Sequence, residues 1–162
     1  MKLWNVSDLN AADFLELLDA KFADPYIRSF AVDQLETLSD EDIGDYLLQL
    51  IQALRYEPYL DCAFTRFLLR RAVANPLLGH FFFWYLKSEL HNEQTFERNG
   101  LLLEAYLRSC TPGQRNQHGL QNQLVQSLLD ISQKIVKCEK DKLALLRSEL
   151  NNLNQTLFNN YS

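Results

Sequence analysis

Two histidines are the first side chains in the sequence suited to metal binding or acid–base chemistry. His80 lies beside a run of aromatic residues, and His91 lies near the end of the same predicted helix. Their separation can place both rings on one helix face, but a zinc site needs at least a third protein ligand and none stands at a matching spacing. A packed or capping role is therefore favoured over a catalytic or metal-binding role.

A cluster of acids and three cysteines also lack the spacing that catalytic or metal-binding sites require. Glu41, Asp42 and Asp45 stand at the start of a predicted helix, where the helix dipole favours acids, so caps explain them better than paired catalytic carboxylates. The cysteines show no C-x-x-C or zinc pattern, so reduced thiols are expected. Cys62 lies at an apolar position and is expected to be an inert core residue. The three cysteines are Cys62, Cys110 and Cys138.

Five arginines could form a basic surface for a phosphate or an acidic partner. They are Arg28, Arg55, Arg66, Arg70 and Arg71. The spacing of Arg66 and Arg70 places both on one helix face, but a solvated helix surface is the simpler interpretation. For Arg28, which follows the core-facing Ile27, the alternative is an ion pair with an acid of the next structural repeat.

Composition and charge describe an ordinary globular chain. Its 162 residues fit one domain or slightly more, with 47% hydrophobic and 23% charged residues. The net charge of −5 argues against a general nucleic-acid or anionic-membrane binder. The longest apolar run, residues 81–86, is far shorter than the roughly 20 residues of a membrane span, and the N-terminus lacks a signal-peptide pattern. We expect a cytoplasmic chain with no membrane span.

The elements that position these side chains are predicted to be helices throughout. All four prolines lie at predicted helix boundaries, and no segment alternates like a strand. Asp24, Ser39, Asp61 and Asn75 are the predicted caps of four of the helices. The region from Thr111 to Gly113, and on toward Gly119, is predicted to be a loop. The helices are expected at about 6–21, 25–37, 40–56, 61–74, 76–91 and 95–110.

The spacing of similar segments predicts a repeat architecture. Arg28 and Arg66 are separated by roughly 40 residues, the period of HEAT and armadillo repeats. We expect helix pairs at about 25–56 and 60–91, with 95–138 as a looser third, stacked as a right-handed α-solenoid. The aromatic residues 81–86 then belong to a helix enclosed on every side.

The last third of the chain differs, because its leucines and isoleucines repeat in steps of three and four. Residues 124–138 and 143–157 each form such a seam, separated by a one-residue shift. A break near residues 140–142 between two antiparallel helices is favoured over a stutter in one long helix. The Asn-rich end is expected to fray. Two regions follow: residues 1–112 as a helical-repeat domain and 113–162 as a helical extension.

Three strings carry a resemblance to a known family. DYLLQLIQ at 45–52, GHFFFWYLKSELH at 79–91 and GLLLEAYLRSC at 100–110 are similar to the helical accessory (PIK) domain of phosphatidylinositol 3-kinase catalytic subunits, most closely those of class I. The resemblance covers about residues 13–110. It implies that the extension leads toward a kinase domain that is not in this chain.

The resemblance implies a part of an enzyme without its catalytic site. The sequence has no Asp-Phe-Gly string, no His-Arg-Asp string and no Gly-rich loop, so ATP and Mg²⁺ are implied only for the missing kinase domain. No catalytic, cofactor-binding, metal or partner-contact residue carries over. The implied partners are the kinase, C2 and Ras-binding domains of the same subunit and an SH2-containing regulatory subunit, with membrane recruitment of the full-length enzyme. The alternative is a free-standing, non-catalytic adaptor, which the start at Met1 would suit.

Overall fold

The structure, a computed structural model, describes the backbone of residues 11–158 and the side chains of residues 12–156. The described residues contain helices and no strand, which confirms the all-α prediction. Part of the first predicted helix, residues 6–10, lies outside them. The helices are α1 (Ala11–Leu17), α2 (Pro25–Leu35), α3 (Asp40–Ala53), α4 (Ala63–Ala74), α5 (Pro76–Glu89), α6 (Phe96–Ser109), α7 (Pro112–Lys137) and α8 (Lys142–Phe158), with a 3-10 turn at Leu54–Tyr56.

The chain divides into two compact units, one ending at Thr111 and the other beginning at Pro112. In the first, each helix packs on its neighbour or on the next helix but one: α1 on α2 and α3, α3 on α5, α2 on α4, α4 on α5 and α6, and α5 on α6. In the second unit, α7 packs on α8. The solenoid stays a prediction.

The capping residues were predicted correctly at three of four positions. Asp24, Ser39 and Asn75 each accept a hydrogen bond from the first turn of the following helix, and Ser39 forms a full capping box with Asp42. The prediction for Asp61 was wrong: the Sγ of Cys62 caps α4 instead, 3.4 Å from the Thr65 nitrogen. The carboxylate of Asp61 is engaged by a guanidinium on α4, and this leaves the capping position to its neighbour.

The C-terminal unit confirms one prediction and corrects two. The break between two helices is confirmed, with Asp141 at a φ of 51° between them. The predicted loop through Gly119 is wrong, because α7 begins at Pro112, and proline suits the first turn of a helix, where no N–H donor is needed. The predicted fraying is wrong for residues 151–154, which lie inside α8, and residues 159–160 lie outside the described range.

The core of the first unit uses one face of each helix. On α3 the residues Ile43, Leu47 and Leu50 are fully buried along one face. On α5 the prediction of enclosure on every side was wrong. Phe82 and Leu86 are fully buried, whereas other aromatic side chains of the run, such as Phe81 at 41%, remain partly exposed.

One glycine allows α4, α5 and α6 to approach closely. A Cβ at Gly79 would lie 2.3 Å from the Tyr106 hydroxyl and 2.5 Å from the Ala72 carbonyl oxygen. At Gly100 of α6, by contrast, a Cβ would lie at an ordinary 3.8 Å from Leu90. The residue that requires a missing side chain is therefore Gly79, on the aromatic helix.

Candidate interaction surface at residues 57–62

The connection between α3 and α4, residues 57–62, is held by two arginines from other helices. Glu57 follows the 3-10 turn that ends α3, and Pro58 prevents further helix. The carboxylate of Glu57 accepts two hydrogen bonds from Arg28 of α2, at 2.8 Å from Nε and 2.5 Å from Nη2. Both side chains are buried, at 6% and 8% exposure. Arg28 thus pairs with an acid, but Glu57 lies between the predicted helix pairs 25–56 and 60–91, so the expected partner in the next repeat was wrong.

The same guanidinium also fixes the segment between α1 and α2. Nη1 of Arg28 donates to the carbonyl oxygens of Leu18, Asp19 and Phe22, at 3.0, 3.3 and 3.2 Å. The planar, always charged fork of arginine suits such a site better than lysine would. Arg28 therefore ties the end of α1, its own helix α2 and the residue that begins the 57–62 connection into one frame.

The second arginine reaches the connection from α6. Arg98 donates from Nη2 to the Glu57 carbonyl oxygen at 2.6 Å and from Nη1 to the Tyr59 carbonyl oxygen at 2.8 Å. Among the described residues it forms no ion pair with a carboxylate. Sequence reasoning missed Glu57 and Arg98, because their partners are 29 and 41 residues away along the chain. The sequence feature that could have indicated Glu57 is its position directly before Pro58.

Two small pockets flank the connection. One has a volume of about 320 Å³ and lies over the buried ion pair, with Pro25, Val32 and Phe64 among its walls. The other has a volume of about 230 Å³ and lies between the connection, α4 and α6. Its walls are Leu60, Asp61, Thr65, Arg66, Leu69, Arg98, Leu101, Leu102 and Ala105.

Three large apolar side chains that line these pockets are exposed, unlike the buried face of each helix: Tyr59 at 72%, Leu101 at 47% and Leu60 at 46%. We call residues 57–62, together with the walls of the two pockets, the 57–62 surface. Apolar side chains gathered on one rigid surface are typical of an interaction site.

The other arginines of the proposed basic surface have partners within the chain. Arg66 pairs with Asp61, Arg70 with Glu36 and Arg71 with Asp40. Arg55 donates to the Gln52 carbonyl oxygen and lies over the Tyr56 ring. The hydrogen bond with Arg66 lowers the pKa of Asp61, and the same bond raises the pKa of Arg66. Arg70 and Arg71 connect α4 to residues 36–40, whereas the contacts of Arg66 and Arg55 are local. The four guanidiniums do not converge on a common ligand site.

Two of the remaining sequence-predicted groups, His80 and Cys62, contact neighbouring residues. Among the described side chains, no three His, Cys, Asp or Glu residues are placed to hold a metal ion. The ring of His80 makes an edge contact with Phe81. Cys62 was predicted to be an inert core residue, but it is half-buried and caps α4. No described helix is both long enough and apolar enough to cross a membrane.

Comparison with known proteins identifies the family. The profile of the phosphoinositide 3-kinase family accessory domain (PIK domain) matches residues 1–119. The chain is 50% identical over 122 residues to phosphatidylinositol 3-kinase 2 of Dictyostelium discoideum, covering 74% of this chain and 6% of that protein. It is 47% identical over 127 residues to phosphatidylinositol 3-kinase 1 of the same organism, covering 78% and 8%. The chain thus spans less than a tenth of these relatives, and through its PIK accessory domain it belongs to the phosphoinositide 3-kinase family.

Proposed function

We propose that this chain acts as the helical scaffold of a phosphatidylinositol 3-kinase catalytic subunit and contributes no catalytic group. It would form an α-solenoid that packs against the kinase, C2 and Ras-binding domains and an SH2-containing regulatory subunit. ATP and Mg²⁺ would bind to the kinase domain. The full-length enzyme would work in the cytoplasm, with recruitment to membranes for its lipid substrate.

The observation that carries this proposal is the use of charged side chains to join helices. The guanidinium of Arg28 connects three segments, and that of Arg98 connects α6 to the same connection. Groups that could bind phosphate are instead hydrogen-bonded within the chain. Such an arrangement supports a rigid body that holds other domains in place, and the 57–62 surface offers it an apolar contact area.

A segment exchange tests the proposal. Residues 1–119 of this chain would replace the matched segment of phosphatidylinositol 3-kinase 2, and lipid kinase activity would be measured on phosphatidylinositol vesicles. At 50% identity the core positions should be compatible, so we expect the exchanged enzyme to keep activity within about threefold of its parent.

The control is the same enzyme with an unrelated all-helical segment of equal length, which should be inactive. If both exchanged enzymes were equally active, the segment would be a spacer and the scaffold proposal would fail. The chain alone, given ATP, Mg²⁺ and phosphatidylinositol, should show no turnover above a blank without protein. Turnover by the chain alone would contradict the absence of a catalytic group.

A further inference from the structure

The smaller pocket of the 57–62 surface combines an apolar interior with a positive charge at its wall. Leu69, Leu102 and Ala105 form part of its lining, and the half-exposed Leu60 and Leu101 stand on opposite elements. Its volume of about 230 Å³ lies below the ~300–1,000 Å³ of small-molecule sites. The pocket therefore suits one large apolar side chain of a partner more than a cofactor.

The charges beside this pocket are unequally balanced. Glu57 is engaged by Arg28, and Asp61 is engaged by Arg66. Arg98, which lines the pocket, contacts only the neutral carbonyls of Glu57 and Tyr59 and has no carboxylate partner among the described residues. Among the charged residues that line the pocket, Asp61 and Arg66 pair with each other, and Arg98 has no oppositely charged partner among the described residues.

The apolar interior of the pocket and the charge of Arg98 together indicate which kind of protein segment would bind there. An apolar side chain that entered the pocket would remove Leu60 and Leu101 from water, which favours binding in proportion to the area buried. A neighbouring carboxylate would meet the guanidinium of Arg98, and a charge-assisted hydrogen bond is stronger than a neutral one. A basic segment would be repelled by the same guanidinium.

We propose that this pocket docks a protein segment in which a large apolar side chain stands next to an aspartate or glutamate. Arg98 has two functions there: it fixes residues 57–59 through their carbonyl oxygens and presents its charge to the acidic group of the partner. The pocket is already formed in the free chain, and its walls are held by ion pairs and hydrogen bonds, so little ordering cost opposes docking. This proposal does not depend on membership of the kinase family.

Peptide display on the full chain tests the occupant without assuming its identity. A library of random peptides would be selected on the immobilised chain, and affinities of the selected peptides would be measured by fluorescence polarisation. We expect enrichment of Leu, Ile, Met or Phe next to Asp or Glu. Changing that acid to its amide in the peptide should weaken binding about tenfold, since a charge-assisted contact is lost without any change in the protein.

Variants of the chain locate the binding site. Leu101→Asp places a carboxylate at the pocket mouth and should weaken binding about tenfold or more, and Leu60→Asp should act in the same way from the opposite wall. Leu77→Asp is the matched control, because Leu77 is 66% exposed in the first turn of α5, outside the pocket lining. It should leave the affinity unchanged, and thermal melting confirms that each variant is folded.

Three results would overturn the proposal. The first is selection of basic peptides, or of peptides whose affinity is unchanged by both Leu101→Asp and Leu60→Asp. The second is binding of the chain to phosphatidylserine vesicles that Leu101→Asp abolishes, which would assign the surface to a membrane. The third is a dimer in sedimentation that Leu101→Asp dissociates, which would assign it to a second copy of the chain.

Discussion

At the scale of single residues, Arg28 illustrates how this chain uses its charged groups. Its guanidinium is buried with Glu57 and with three carbonyl oxygens. It is the counterion of the carboxylate and the hydrogen-bond donor to the three carbonyl oxygens. Desolvation of both partners makes such a pair expensive to form, and removal of one partner leaves the other charge buried alone. An ion pair with an acid of the next repeat was one of two interpretations of Arg28 in the sequence, but the partner, Glu57, depended on how distant segments pack.

Substitution of this arginine should therefore be severe. Arg28→Met is expected to lower the free energy of unfolding by about 3–5 kcal/mol, because the buried carboxylate of Glu57 loses its counterion. Urea titration followed by circular dichroism measures this loss. The matched control is Arg66→Met, which removes an exposed ion pair with Asp61 and should change stability little. Equal effects of the two substitutions would contradict the assigned role of burial.

Adding Glu57→Met to Arg28→Met should restore part of the lost stability. The double variant contains no buried unpaired charge, but the carbonyls of Leu18, Asp19 and Phe22 still lack their donor. A double variant less stable than Arg28→Met would show that Glu57 has another partner that contributes more to stability than Arg28 does.

Tyr106 predicts a dependence of stability on alkaline pH. Burial, with a hydrogen bond to Cys110, raises the pKa of this phenol above its ordinary value of about 10. The folded state thus favours the protonated phenol. Its contribution to stability is complete below about pH 10 and is lost as the pH rises from there through the higher pKa of the folded state.

Thermal melting between about pH 8 and pH 11 tests this dependence. Tyr106→Phe should reduce the fall in melting temperature above pH 10, because one raised pKa is removed. Tyr26→Phe is the control, since Tyr26 is 86% exposed, and it should leave the profile unchanged. Identical profiles for all three proteins would contradict the buried position of the Tyr106 hydroxyl.

At the scale of elements, local sequence patterns predicted well where the helices lie, but they predicted poorly which helix faces are buried by neighbours. Asp24 and Asn75, each followed by a proline, indicated two helix starts, because both residue types favour the same local geometry. The aromatic run of α5 was misleading, since its composition does not show which face meets a neighbour. Phe82 is buried, whereas Trp84 on another face is only partly buried.

The two faces of α5 should respond differently to truncation. Phe82→Ala is expected to cost about 3–5 kcal/mol, because it leaves a cavity under the contact with Tyr106, where the ring centroids are 5.5 Å apart. Trp84→Ala should cost less, since part of its ring already contacts water. Urea titrations of both variants compare the costs. A larger cost for Trp84→Ala would restore the expectation of a helix enclosed all round.

Substitution by alanine should have opposite effects on stability at Gly79 of α5 and at Gly100 of α6. Gly79→Ala should destabilise by about 3 kcal/mol, because the new methyl group overlaps the Ala72 carbonyl and the Tyr106 hydroxyl. Gly100→Ala should stabilise by about 0.5–1 kcal/mol, because its methyl group has space and alanine favours the helix. Melting temperatures that rise for both variants would contradict the close approach at Gly79.

At the scale of the whole molecule, the two units differ in how much they bury. The first unit contains most of the described core, whereas α7 has only His118 and Ile131 as buried described side chains. In α8, none of the described side chains is buried. Amide hydrogen exchange should therefore be slower in α4 and α5 than in α8, because opening a helix with few buried contacts costs less free energy. Equal protection would contradict this difference.

The family of the chain could be identified from its sequence, since the resembling strings coincide with helices that the structure describes. The 57–62 surface could not be identified from the sequence, because it is formed by α2, α6 and a connection that are distant along the chain. Exposed Leu60 and Leu101 do not differ in residue type from the buried Leu68 and Leu102. Only their positions in the folded chain separate a contact surface from a core.

The most direct test of the central claim is lipid kinase activity of the exchanged phosphatidylinositol 3-kinase 2 carrying Arg28→Met, with Arg66→Met as its control. If the segment works as a rigid scaffold, Arg28→Met should lower both the melting temperature and the activity, and Arg66→Met should change neither. An Arg28→Met enzyme with a lowered melting temperature and undiminished activity, assayed just below its melting transition, would contradict the account.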